Sequence, residues 1–212
     1  MKQEKYKLKH TEKQIKQDIN DLFVNDTTKN TTALILDAEN LFTTRKLIKN
    51  KVKPKNIYVP NPFSYDDLIK YSKQHKIRIN IFNKLLYNFL IDDFSKLCES
   101  LKNELFIWFD YCCCFMGNDN INPREDIKTM FEILRTELNT QQHIGLTIKF
   151  SVTFSYRKPT SDFKHERYIE IINYITRTAY KYGFVAIPTI HRIYKMYYIE
   201  FIVKRIGNEV YY

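Results

Sequence analysis

Asp110 ends an apolar run and is followed at once by an aromatic residue and three thiols, Phe106-Ile107-Trp108-Phe109-Asp110-Tyr111-Cys112-Cys113-Cys114. A carboxylate at such a point could orient a nucleophile or take its proton, and the Tyr111 ring could stack on a planar group. Asp110 and Tyr111 are therefore the candidate catalytic residues. A thiolate among Cys112, Cys113 and Cys114 could add to an electrophilic ring, but only with a neighbouring base or cation to lower its pKa. No such neighbour stands beside them in the chain, so packing as small apolar side chains is the expectation for the thiols. A second run has the same form, Ala33-Leu34-Ile35-Leu36-Asp37-Ala38-Glu39-Asn40, and a third ends Ile57-Tyr58-Val59-Pro60-Asn61. An acid at the end of a buried run needs hydrogen bonds or a cation. Asp37 and Glu39 could accept from an amine, and the Asn61 amide could bond a hydroxyl. The plainer role for Asp37 is to cap the turn that follows it. Thr43 and Thr44 are candidate caps for the next helix.

Such residues do chemistry only if the chain brings them together. The runs at 32–37, 56–60 and 105–110 read as buried strands, and open α/β sheets place ligands at the carboxyl ends of theirs. Two further strands are expected at 77–82 and 146–155, and a closing pair at 184–190 and 197–203, joined by a short hairpin-like link over 191–196. Helices are expected at 12–23, over 43–49, after Ser64 with Asp66 and Asp67 in its first turn, over 84–103, from Asn122 to 138, and over 164–182. Asn122 followed by Pro123 is a helix-start signal, and Gly183 is a stop. Alternation of this kind predicts an α/β fold, a doubly wound, mostly parallel seven-stranded sheet with an antiparallel last strand and helices on both faces. Residues 1–30 are expected to form an N-terminal helical extension and 31–212 the single domain.

With 44% apolar residues in 212, the chain can build one large core. No stretch is apolar enough to span a bilayer, no leader is apparent at the start, and neither CxxC nor zinc spacing occurs among four cysteines. A cytoplasmic protein with free thiols, no metal and no membrane partner is expected. The net charge of +10 is uneven: +4 over 31–62 and +6 over 144–212, against −4 over 104–143. Such a field favours a polyanion such as RNA. Arg157, Lys158 and Arg192, near Tyr156 and Tyr194, form a basic-aromatic set suited to phosphates and bases.

This element order resembles the class I S-adenosylmethionine-dependent methyltransferases over roughly 31–205. Leu34-Ile35-Leu36-Asp37 is similar to their first strand and its acid, Ile57 to Asn61 to the second strand, and Trp108-Phe109-Asp110-Tyr111 to the fourth strand and the start of the catalytic loop. The resemblance implies a Rossmann-like domain that binds S-adenosylmethionine through Asp37, Glu39 and Asn61 and methylates a substrate, RNA being the expected class, at Asp110 and Tyr111. The chain departs from the family pattern after Asp37, where a glycine-rich turn is usual and Ala38-Glu39-Asn40-Leu41-Phe42 has no glycine. Asn61 replaces the usual acid.

Two other readings stand beside this one. A methyltransferase fold without the glycine turn could be a non-catalytic module that binds nucleic acid or protein. Leu36-Asp37-Ala38-Glu39-Asn40 also resembles the opening of PIN-like metal-dependent nucleases, which need several acids converging on divalent metal.

Overall fold

The computed structural model describes residues 10–111, 113–138, 145–155, 161–193 and 196–206. Seven strands form one sheet: β1 (Thr31–Ile35), β2 (Ile57–Pro60), β3 (Asn80–Phe82), β4 (Glu104–Asp110), β5 (Thr147–Ser155), β6 (Phe184–Ile193) and β7 (Met196–Arg205), in the order β3-β2-β1-β4-β5-β7-β6. Pairings among β1 to β5 are parallel, and β7 runs antiparallel to both β5 and β6. The expected seven-stranded, doubly wound architecture is therefore present, with its antiparallel strand inserted next to the edge.

The faces of the sheet sort by strand alternation. On one face Leu34, Leu105, Ile107, Phe109, Phe150 and Val152 pack under α4 (Leu86–Glu99), α5 (Pro123–Glu137) and α6 (Ser161–Lys181). On the other, Ala33, Ile35, Phe106 and Trp108 pack under α1 (His10–Val24), α2 (Phe42–Lys49) and α3 (Tyr65–Gln74), through Ile19, Phe23, Leu47 and Leu68. Phe23 meets Trp108 edge-to-face at 5.2 Å, so the carboxyl-terminal half of α1 is part of this layer. The indole Nε1 of Trp108 donates to the Thr153 hydroxyl at 2.9 Å, which satisfies its one polar atom in the core.

Local chemistry explains the element boundaries. Asn122 accepts from the Glu125 amide and Pro123 follows it, starting α5 as the sequence predicts. Strand three is shorter than expected. Lys76 takes a left-handed backbone (φ 54), and the Ile77 amide returns to the Ser72 carbonyl, so the chain after α3 first completes a helix cap. The final pair is longer than expected. His191, Arg192 and Ile193 are still paired with Ile199, Tyr198 and Tyr197, so the stretch expected to be a link continues the strand. A register shift between Pro188 and Ile190 lets the proline sit in this edge strand.

Gly183 has φ 85, and a Cβ there would meet nothing within 4 Å. Its requirement is thus backbone conformation alone. Gly183→Ala is expected to cost about 1 kcal/mol, read as a lower urea midpoint at unchanged slope. An unchanged midpoint would contradict this assignment.

Candidate active site at the carboxyl rim of β1 and β4

Parallel pairing sets Ile35 opposite Trp108, and the Leu36 amide still donates to the Trp108 carbonyl. Two residues beyond that register come Asp37 and Asp110, so both acids reach the same rim, at the carboxyl ends of neighbouring strands. Asp110 is half-buried, shares its face with Trp108 by alternation, and lies across from Thr153 of β5. Glu39 is exposed on the β1–α2 loop.

Asp37 is 5% exposed, and its carboxylate accepts from the amides of Ala38 (2.9 Å) and Thr44 (2.7 Å). It therefore caps α2, the work expected of Thr43 or Thr44, and sits at the positive end of the helix. The Thr43 hydroxyl instead accepts from the Asn20 amide of α1. Burial raises the Asp37 pKa, and the hydrogen bonds from Thr44 and Ala38 oppose that rise. The turn does without glycine by placing Leu41 in the left-handed region (φ 48), its side chain fully buried and its amide bonded to the Ala38 carbonyl.

Asn61 joins the ends of β2 and β1. Its amide nitrogen donates to the Asp37 carbonyl (2.9 Å), and its side-chain oxygen accepts from the amides of Phe63 and Ser64 (3.0 and 3.1 Å). Ser64 makes no side-chain cap of α3. The loops that follow β1 and β2 are thus latched to each other.

Tyr111 leaves this rim. It falls in the core layer with Phe109 and Phe154, stacked on Phe154 at 5.3 Å, and its hydroxyl donates to Asp126 of α5 at 2.9 Å. Its pKa is raised well above the ordinary value, first by burial and then by Asp126. Asp126 is itself pushed up to about 6 by burial, the Tyr111 bond opposing. The structure thus places Asp37, Asn61 and Asp110 at one rim of the sheet and turns Tyr111 to the opposite face. Sequence reasoning missed Asp126, although the signal was present. Residues 126, 130 and 134 recur every four on α5, which puts this acid on the apolar stripe with Met130 and Leu134.

The loop after Tyr111 is pinned from α5 and α6. The Arg124 guanidinium lies over the Phe115 ring (4.8 Å), and the Tyr174 hydroxyl donates to the Arg124 carbonyl (2.7 Å). Gly117, at φ 79, passes so close to Ile121 that a Cβ would lie 2.3 Å from its carbonyl oxygen. Cys113 and Cys114 are half-buried, and Cys98 is buried with its pKa pushed up to about 12. Cys112, Tyr156, Arg157, Lys158 and Tyr194 lie outside the described residues. Arg192 is described only through its backbone pairing with Tyr198. Among the described residues, no three of His, Cys, Asp and Glu converge as a metal-ligand set, and no helix is long and apolar enough to cross a membrane.

No protein-family model matches the chain, and no curated protein does. Among solved structures it is similar to a candidate methyltransferase of Escherichia coli, with TM-score 0.54 and 10% identity over 93% of this chain and 88% of that one. It is similar to a candidate RNA methyltransferase of Pyrococcus horikoshii, with TM-score 0.52 and 11% identity over 94% and 86%. A ribosomal protein methylase of Lactobacillus delbrueckii subsp. bulgaricus gives TM-score 0.53 and 10% identity over 96% and 91%. Sheet order, the antiparallel β7 and these likenesses identify the fold as that of the class I S-adenosylmethionine-dependent methyltransferases, carried on a divergent sequence.

Proposed function

We propose that the protein is an S-adenosylmethionine-dependent methyltransferase acting on RNA. The observation that supports this reading is the placement of two acids, Asp37 and Asp110, at the carboxyl ends of the adjacent strands β1 and β4. The residues present fit the cofactor through Glu39 and Asp110, whose carboxylates suit a ligand bearing an amine and a sulfonium. Asp37 and Asn61 act one step back. Their hydrogen bonds to backbone shape the two loops against which a nucleoside would rest. When bound, the cofactor supplies a methyl group on a cationic sulfur, open to in-line displacement. Asp110 orients the attacking atom and can hold its proton. Tyr111 acts as a positioning residue, tying the end of β4 to α5 through Asp126. Such a reaction asks mainly for alignment of the two reactants.

Calorimetric titration with S-adenosylmethionine tests the cofactor. Saturable one-to-one binding is expected, weakened about tenfold, or about 1.4 kcal/mol, in Asp110→Asn. No heat at millimolar ligand would remove the reading. That result would favour the second one, a non-catalytic binding module on the same fold, for which the hydrogen bonding of Asp37 and Asn61 to backbone is the specific support.

A further inference from the structure

The amino-terminal rim of the sheet carries a feature that the sequence scatters. From Asn40 to Tyr65 there are six basic residues and no acid. The fold brings two of them, Lys53 and Lys55 at the entry to β2, against Lys96 at the end of α4 and Lys102 in the loop before β4. Together they line a pocket of about 410 Å³, floored by Tyr58, with Glu99 as its only acid. All four lysines are exposed. Lys96 is paired with Asp93 at 2.6 Å, but among the described residues Lys53, Lys55 and Lys102 have no carboxylate partner. Converging cations without counter-charge repel one another, which opposes folding unless a polyanion offsets it. A neighbouring detail agrees. Lys51, two residues before Lys53 in the chain, holds a left-handed backbone (φ 72), a place where glycine would be less strained, and is a further exposed cation of this stretch.

We propose that this pocket docks the phosphodiester backbone of a nucleic acid. It lies at the amino end of the strands, about 23 Å along seven-residue β4 from the Asp110 rim. A bound strand would thus be anchored away from the chemistry, leaving the rim to act on a base or end. The inference extends the nucleic-acid half of the function proposed above and does not depend on methyl transfer.

The test is fluorescence anisotropy with labelled 20-nucleotide RNA and DNA strands, without cofactor, at several salt concentrations. The variant is Lys53→Gln/Lys55→Gln/Lys102→Gln. The control, Lys70→Gln/Lys73→Gln/Lys181→Gln, removes the same charge from exposed sites elsewhere. The pocket variant is expected to bind about tenfold more weakly and to lose about 2 from the slope of log affinity against log salt, while the control keeps most of both. Equal affinity for RNA and DNA would identify the backbone as the shared ligand, and a preference for one strand would name its source. Equal losses in variant and control would overturn the inference while leaving RNA binding intact. Competition by polyglutamate as effective as by RNA would also overturn it and point to an acidic protein. If the wild-type chain binds neither strand, the RNA substrate falls too, whereas cofactor binding by calorimetry stands or falls separately.

Discussion

Asp37→Ala is expected to destabilise the protein by about 3 kcal/mol and to abolish S-adenosylmethionine binding. The size follows from what the carboxylate does. It is the acceptor for the Ala38 and Thr44 amides at a buried helix start. Removing it leaves both donors without a partner, at roughly 1–3 kcal/mol each. Burial disfavours the charged carboxylate and raises the Asp37 pKa, so removing that charge offsets part of the cost. The same change frees the β1–α2 loop to which Asn61 is latched, so the two loops that hold the cofactor under the proposed function lose their shape. Asp37→Asn retains one side-chain acceptor and should lose about half as much. Urea denaturation with calorimetry on the folded variants separates the two effects. A stability change below about 1 kcal/mol would contradict the capping role. Unaltered cofactor affinity in a folded Asp37→Ala protein would remove Asp37 from the site.

The Asp126–Tyr111 pair predicts an unusual pH dependence. The Asp126 pKa rises from 3.8 in the ordinary state to about 6 in the fold, first through burial. Below the lower value both folded and unfolded chains hold the proton, and its contribution to stability is complete. Between about 4 and 6 the unfolded chain gives up its proton first, so this contribution is lost as pH rises and stays lost above 6. The full swing is at most about 3 kcal/mol for a two-unit gap. Asp126→Asn keeps an oxygen to accept from the Tyr111 hydroxyl without the buried charge. It should match or exceed the wild-type stability at pH 7–8 and lack the fall between pH 4 and 6. The measurement is urea unfolding of both proteins from pH 4 to 8. A difference between them that is flat with pH, or a variant less stable at pH 8, would show that burial does not dominate at this carboxyl.

Much of the layout is set locally and can be read from the chain. Apolar runs ending in Asp37 and Asp110 give buried strands with acids at one rim. Four-residue spacing gives α5 and α6, and Asn122-Pro123 and Gly183 mark boundaries because capping and left-handed backbone are single-residue requirements. Parity along β4 was legible as well. Residues 105, 107, 109 and 111 share one face, so Tyr111 must leave Asp110, and the stacking role expected for it gives way to a positioning role under the proposed function. What only the tertiary structure decided were matches between distant segments. These include the insertion of β7 between β5 and β6, the use of the Asn61 amide on the Asp37 carbonyl, the closure of Tyr111 on Asp126, and the meeting of Lys53 and Lys55 with Lys96 and Lys102. Periodicity reports which face a residue takes, because it follows from the geometry of one helix or strand. It carries no information on which other segment lies across that face, because that choice is made by the packing of the whole sheet.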